Sequence, residues 1–120
     1  MPRRQPDKGQ DTRAPRPERS KPERRMPVRQ IEEEALQLRQ SGASYSAIAR
    51  RLELRRATDA HSAFIRAVRT RDGEEQLRLV ADENMRIDQL ELRIRERDAG
   101  QPDKVERRLL AAASLRSALP

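Results

Sequence analysis

No cysteine occurs in the chain, so neither a disulfide framework nor a thiolate metal site holds it together. Aromatic side chains are nearly missing, with Tyr45 and Phe64 the only two. Glycine is scarce, and Gly9, Gly42, Gly73 and Gly100 each stand alone, which excludes a glycine-rich phosphate loop. There is one histidine, His61, and nearly every carboxylate has an arginine close by in sequence. Acid–base and metal-dependent catalysis need several converging groups, so we expect no catalytic residue, no metal and no cofactor. No alternating β-branched run suggests a strand. Apolar runs fall far short of the ~20 residues that cross a bilayer. The charged amino terminus has no hydrophobic stretch behind it, as a secretory signal would. The expectation is a cytoplasmic protein with no membrane partner.

What the sequence does have is charge on helical periodicity. Charged residues make up 39% of the chain and the formal net charge is +7. The apolar residues that recur are Leu, Ile, Val and Ala at spacings of three and four, which predicts an all-α protein. Residues 1–27 hold six of the eight prolines and almost nothing apolar. A segment of that composition cannot offset its ordering entropy, so it is expected to be a disordered basic tail.

Residues 28–72 read as a three-helix head. Val28, Ile31, Ala35 and Leu38 stripe a first helix that Gly42 ends, and Glu32 to Glu34 are expected to favour its positive amino end. Ser44 is an N-cap for the second helix, which buries Tyr45, Ile48, Ala49 and Leu52. Leu54 plugs the following turn. The third helix, with Thr58 as its expected cap and an end near Arg71, buries Ala60, Phe64, Ala67 and Val68. Together the second and third helices have the pattern of a helix-turn-helix, whose third helix enters the major groove of double-stranded DNA. Its candidate DNA contacts are Arg55, Arg56, Thr58, Asp59, Ser62, Arg66 and Arg69, since arginine reads guanine edges or phosphates and short polar groups reach bases or backbone. His61 reads as solvent-facing or as one more DNA contact. Plain helical packing in an arginine-rich chain gives a similar pattern, and Glu53 replaces the glycine usual at the motif's corner.

Residues 73–120 read as a helical hairpin. A long helix from about Glu74 to Asp98 carries Leu77, Val80, Ile87 and Ile94 on one line and Met85 and Leu92 on another. A break at Ala99-Gly100-Gln101-Pro102 precedes a last helix to about Leu119. One packing partner within the chain covers one such line, so the six residues are candidates for self-association into a homo-oligomer. Charge divides accordingly: the net positive charge resides in the tail and head, while the hairpin is close to neutral.

Glu34-Ala35-Leu36, Ser41-Gly42-Ala43-Ser44-Tyr45 and the Ile48-Ala49…Leu52 core are similar to the first helices of the small terminase subunit of tailed phages. Glu83-Asn84-Met85-Arg86-Ile87-Asp88-Gln89-Leu90 resembles a Glu-x-x-Arg-Leu-Asp-x-Leu stretch of that family's long helix. Arg97-Asp98-Ala99-Gly100, followed by Val105 to Leu119, resembles its closing segment. The resemblance covers about residues 31–120. It implies a non-enzymatic subunit that binds packaging-initiation DNA, assembles as a ring-like homo-oligomer and hands DNA to a large terminase subunit, an ATPase–nuclease. The residues alone are also compatible with a helix-turn-helix transcriptional regulator or nucleoid-associated protein, which would act as a dimer on two half-sites.

Overall fold

The computed structural model describes residues 26–120, so the expectation for the proline-rich tail falls almost wholly outside it. The described residues form five helices and no strand: α1 (Val28–Gln40), α2 (Tyr45–Arg51), α3 (Ala57–Arg69), α4 (Gly73–Arg97) and α5 (Pro102–Ser117). The all-α class is as expected.

Local chemistry sets the helix ends. Past α1, Gly42 adopts φ 104°, the Gly42 amide donates to the Arg39 carbonyl at 3.0 Å and the Ala43 amide to the Leu38 carbonyl at 3.1 Å. That is a Schellman ending, which needs a left-handed residue. Ser44 caps α2, its Oγ accepting from the Ala47 amide at 3.1 Å. The end of α2 repeats the Schellman pattern: the Glu53 amide donates to Arg50 at 3.3 Å and the Leu54 amide to Ala49 at 2.8 Å. Here Glu53 holds the left-handed position at φ 58°, where glycine is the usual residue. Asp72 caps α4 by accepting from the Glu75 amide at 3.0 Å.

Two caps differ from expectation. Thr58 does not cap α3; it is exposed within the first turn, and Asp59 accepts from the Arg56 amide at 3.2 Å instead. A carboxylate three residues into the helix satisfies the donor that Thr58 would have left to water. The glutamates of α1 lie beyond its first turn. They reach across to α3 and the residues after it, Glu32 to Arg66 at 2.8 Å and Glu33 to Arg71.

The core is built from Ala35 and Leu36 of α1, Tyr45, Ile48 and Ala49 of α2, and Ala60, Ala63, Phe64, Ile65, Ala67 and Val68 of α3. It continues into α4 through Leu79, with Val80 packed against it, and receives Leu115, Ala118 and Leu119 from the end of α5. Small residues at 49, 60, 63 and 67 let the helix axes approach closely.

At the base of this core lies a buried charged hub. Glu83 is fully buried, and Arg39 clasps its carboxylate with two hydrogen bonds of 2.9 and 3.0 Å. Tyr45 donates to the same group at 2.8 Å and Arg86 at 2.9 Å. Arg39 also donates to the Ala43 carbonyl at 3.0 Å and lies 4.0 Å from the Tyr45 ring centroid. Burial pushes the Glu83 carboxyl up, but the hydrogen bonds and charge of Arg39, with help from Tyr45 and Arg86, hold it below the usual carboxylate range. Burial and the neighbouring Glu83 charge raise the Tyr45 phenol. One carboxylate therefore ties α1, α2 and α4 together.

Beyond the hub, α4 and α5 form a hairpin. Ile87 and Ile94 of α4 and Ala112 of α5 are buried there. Arg116 returns to α4, donating to Asn84 and Asp88 at 2.7 Å each. At the turn, buried Asp98 lies 3.8 Å from Lys104 and 3.4 Å from Arg108. No described helix is long and apolar enough to cross a membrane.

Candidate nucleic-acid interface

α3 presents one outward strip. Thr58, Ser62, Arg66 and Arg69 follow at spacings of four, four and three, and all are exposed. Arg55 and Arg56, in the turn before α3, are exposed as well. Asp59 is half-buried and committed to capping, so its carboxylate oxygen faces the Arg56 amide.

Two of the predicted residues are already engaged. Arg66 pairs with Glu32 of α1 at 2.8 Å, and Arg69 donates to the Ala118 carbonyl at the end of α5 at 3.4 Å. The strip is thus flanked by α1 on one side and by the last residues of α5 on the other.

Sequence reasoning missed Arg50 and Arg51, both exposed in the last turn of α2. The signal was available: two arginine pairs, 50–51 and 55–56, bracket the corner. Among the described residues none of these four arginines forms an ion pair. Four guanidinium groups at the entrance of α3 make a positive field that suits phosphate oxygens, to which the α3 amino end adds its own partial charge. Thr58 and Ser62 supply short hydroxyl groups beside it.

A cleft of about 580 Å³ opens between the first turns of α3 and the hairpin, lined among others by Thr58, His61, Ile94, Arg97, Arg108 and Leu115. His61 is not solvent-facing. It is half-buried, edge-on to Tyr45 with ring centroids 5.0 Å apart. Burial pushes its imidazole below the ordinary histidine value despite the negative charge of Glu83. The reason is the return of α5, whose Leu115 lies beside His61.

The six residues expected to drive self-association separate into two groups. Ile87 and Ile94 are buried inside the hairpin and Val80 packs on the head core. Leu77, Met85 and Leu92 point outward. Leu77 leaves the line first assigned to it because ten residues at 100° each put Ile87 about 80° away around the helix. Among the described residues there is no group of three or more His, Asp or Glu placed to hold a metal ion.

No family model matches the chain, and no curated protein or solved structure gives a match.

Proposed function

We propose that this chain is a non-enzymatic subunit that binds double-stranded DNA through α3 and the turn before it, in the manner of the small terminase subunit. The observation that carries the reading is the cluster Arg50, Arg51, Arg55 and Arg56, exposed and without ion pairs among the described residues, beside the outward strip of α3. Arginines that form no ion pair among the described residues, beside abundant glutamate, are available to phosphates. The left-handed Glu53 at the corner and the apolar Leu54 behind it support the helix-turn-helix reading. In this reading Arg55, Arg56, Thr58 and Ser62 meet the DNA first, and Arg66 and Arg69 join by exchanging Glu32 and the Ala118 carbonyl for phosphate. The large terminase subunit, an ATPase–nuclease, is the expected recipient of the bound DNA.

The test is fluorescence anisotropy with labelled duplex DNA over a range of salt. Arg55→Ala/Arg56→Ala is expected to weaken binding by ~1–3 kcal/mol for each arginine that reads a base. A phosphate-only arginine instead lowers the salt slope by about one unit. Unchanged affinity and slope in this double variant and in Arg50→Ala/Arg51→Ala would falsify the assignment. Adding structured RNA as competitor separates a DNA reader from an RNA binder.

A further inference from the structure

α4 has a second face that nothing among the described residues covers. Leu77, Met85 and Leu92 are 73%, 61% and 55% exposed, and exposed Ala81 lies between the first two. At 3.6 residues per turn these four side chains fall in a sector about 80° wide. It lies opposite the buried line of Leu79, Glu83, Ile87 and Ile94. The two ends of the sector carry opposite charge. Glu74 precedes Leu77 by three residues and Arg95 follows Leu92 by three, and both are exposed without an ion pair among the described residues.

This order reads the same from either end, with the sign of the charge inverted. When a second α4 is laid antiparallel across an axis at Asn84–Met85, Leu77 faces the partner's Leu92 and Glu74 faces the partner's Arg95. Symmetry makes each of these contacts occur twice, and the two Met85 side chains meet beside the axis. Asp88, the acidic group inside the sector, falls opposite the small partner's Ala81 and keeps Arg116 as its counter-ion at 2.7 Å. A parallel pairing would instead set glutamate against glutamate and arginine against arginine, which is unfavourable at both ends.

We infer that this face of α4 binds a second copy of the chain in antiparallel, two-fold orientation. Such a contact is isologous and closes on itself, and in this it departs from the ring-like assembly that the small terminase resemblance implies, which needs a head-to-tail contact. The inference rests on α4 alone and stands or falls separately from DNA binding by α3.

Because the chain has no cysteine, single introduced thiols report the geometry directly. In the full-length protein Met85→Cys is expected to cross-link with itself through a short thiol-reactive linker. Leu77→Cys and Leu92→Cys, prepared separately, are expected to cross-link poorly, and their equimolar mixture well. Light scattering at tens of micromolar should give two copies. Glu74→Arg or Arg95→Glu should weaken the pair roughly threefold to tenfold, since each removes two charge contacts per dimer, and the double variant Glu74→Arg/Arg95→Glu should restore it. Circular dichroism checks that each variant folds. A wild-type monomer at the highest soluble concentration, self-cross-linking of Leu77→Cys as efficient as in the mixture, or no restoration in the double variant would each overturn the pairing. So would a larger assembly in which Met85→Cys fails to cross-link.

Discussion

The two ends of α4 are held in different ways. Its first half joins the core of Phe64, Ile48, Val68 and Leu79 through Leu79 and carries the buried ion cluster of Glu83. Its second half leans on a single helix, α5, through Ile87, Ile94 and Ala112, and through charged contacts of Arg116 and Asp98 near either end of the hairpin. The first half is fixed by many partners from three other helices, the second by one. The head end of α4 is thus tied to three helices, and the distal end is expected to open at lower free energy.

The sharpest way to break this contrast is Glu83→Ala. It leaves Arg39, Tyr45 and Arg86 without their common partner, and an uncompensated buried guanidinium typically costs ~3–5 kcal/mol. Urea denaturation should show that loss, with the whole head destabilised. Ile94→Ala removes a buried side chain from the thin end, beside the open cleft. Its expected cost is about 2 kcal/mol, toward the low end for such truncations because the site can collapse. A loss as large as that of Glu83→Ala would mean the two ends are equally cooperative.

Acid should weaken the head in two steps, through His61 first and Glu83 second. The folded pKa values of His61 and Glu83 both lie below their unfolded values, so the stability each contributes is present above its unfolded pKa and falls as the pH drops. For His61 the decline starts near the ordinary histidine value of 6.5, and for Glu83 only below its reference of 4.5. Melting curves between pH 7.5 and pH 5, a range set by the ordinary histidine pKa of about 6.5, are expected to slope downward in the wild type and to flatten in His61→Phe. An unchanged slope would place the titrating group elsewhere.

The smallest expected effect separates the two Schellman endings. Gly42 takes its left-handed conformation freely, while Glu53 holds φ 58° with a side chain attached. Glu53→Gly relieves ~1–2 kcal/mol of left-handed strain but adds chain entropy of roughly 0.5–1 kcal/mol, so a net gain of about 0.5–1 kcal/mol is expected in thermal melts. Any DNA affinity should stay nearly constant.

Helix order, the Ser44 cap, the Gly42 ending, the Leu54 plug and the break around Gly100 were all legible from sequence, because each depends on residues within a few positions of one another. Glu83 was not. A glutamate at that position reads as surface by periodicity, and its deciding partner, Arg39, lies 44 residues away. The engagement of Arg66 and Arg69 was hidden for the same reason, since their partners are 34 and 49 residues distant. The line of Leu77 with Ile87 was misjudged because a three-four rhythm drifts around a helix of this length. Arg50 and Arg51 are legible too, since the pairs 50–51 and 55–56 bracket the corner between α2 and α3.

The return of α5 onto α3 also has a consequence in time. Leu115, Ala118 and Leu119 pack against the core to which α3 contributes, and Ala118 accepts from Arg69, yet they are synthesised about 50 residues after α3. During translation α1, α2 and α3 emerge before α5 and can form their mutual contacts, but without Leu115, Ala118 and Leu119 against the core. A nascent chain that ends within α4 therefore exposes an apolar strip beside its arginines. It closes only when the last helix leaves the ribosome and bridges a long loop, a step whose entropy grows slowly with loop length but which has to follow the local helices. Completion of the α3 side of the core is thereby tied to completion of α4 and α5.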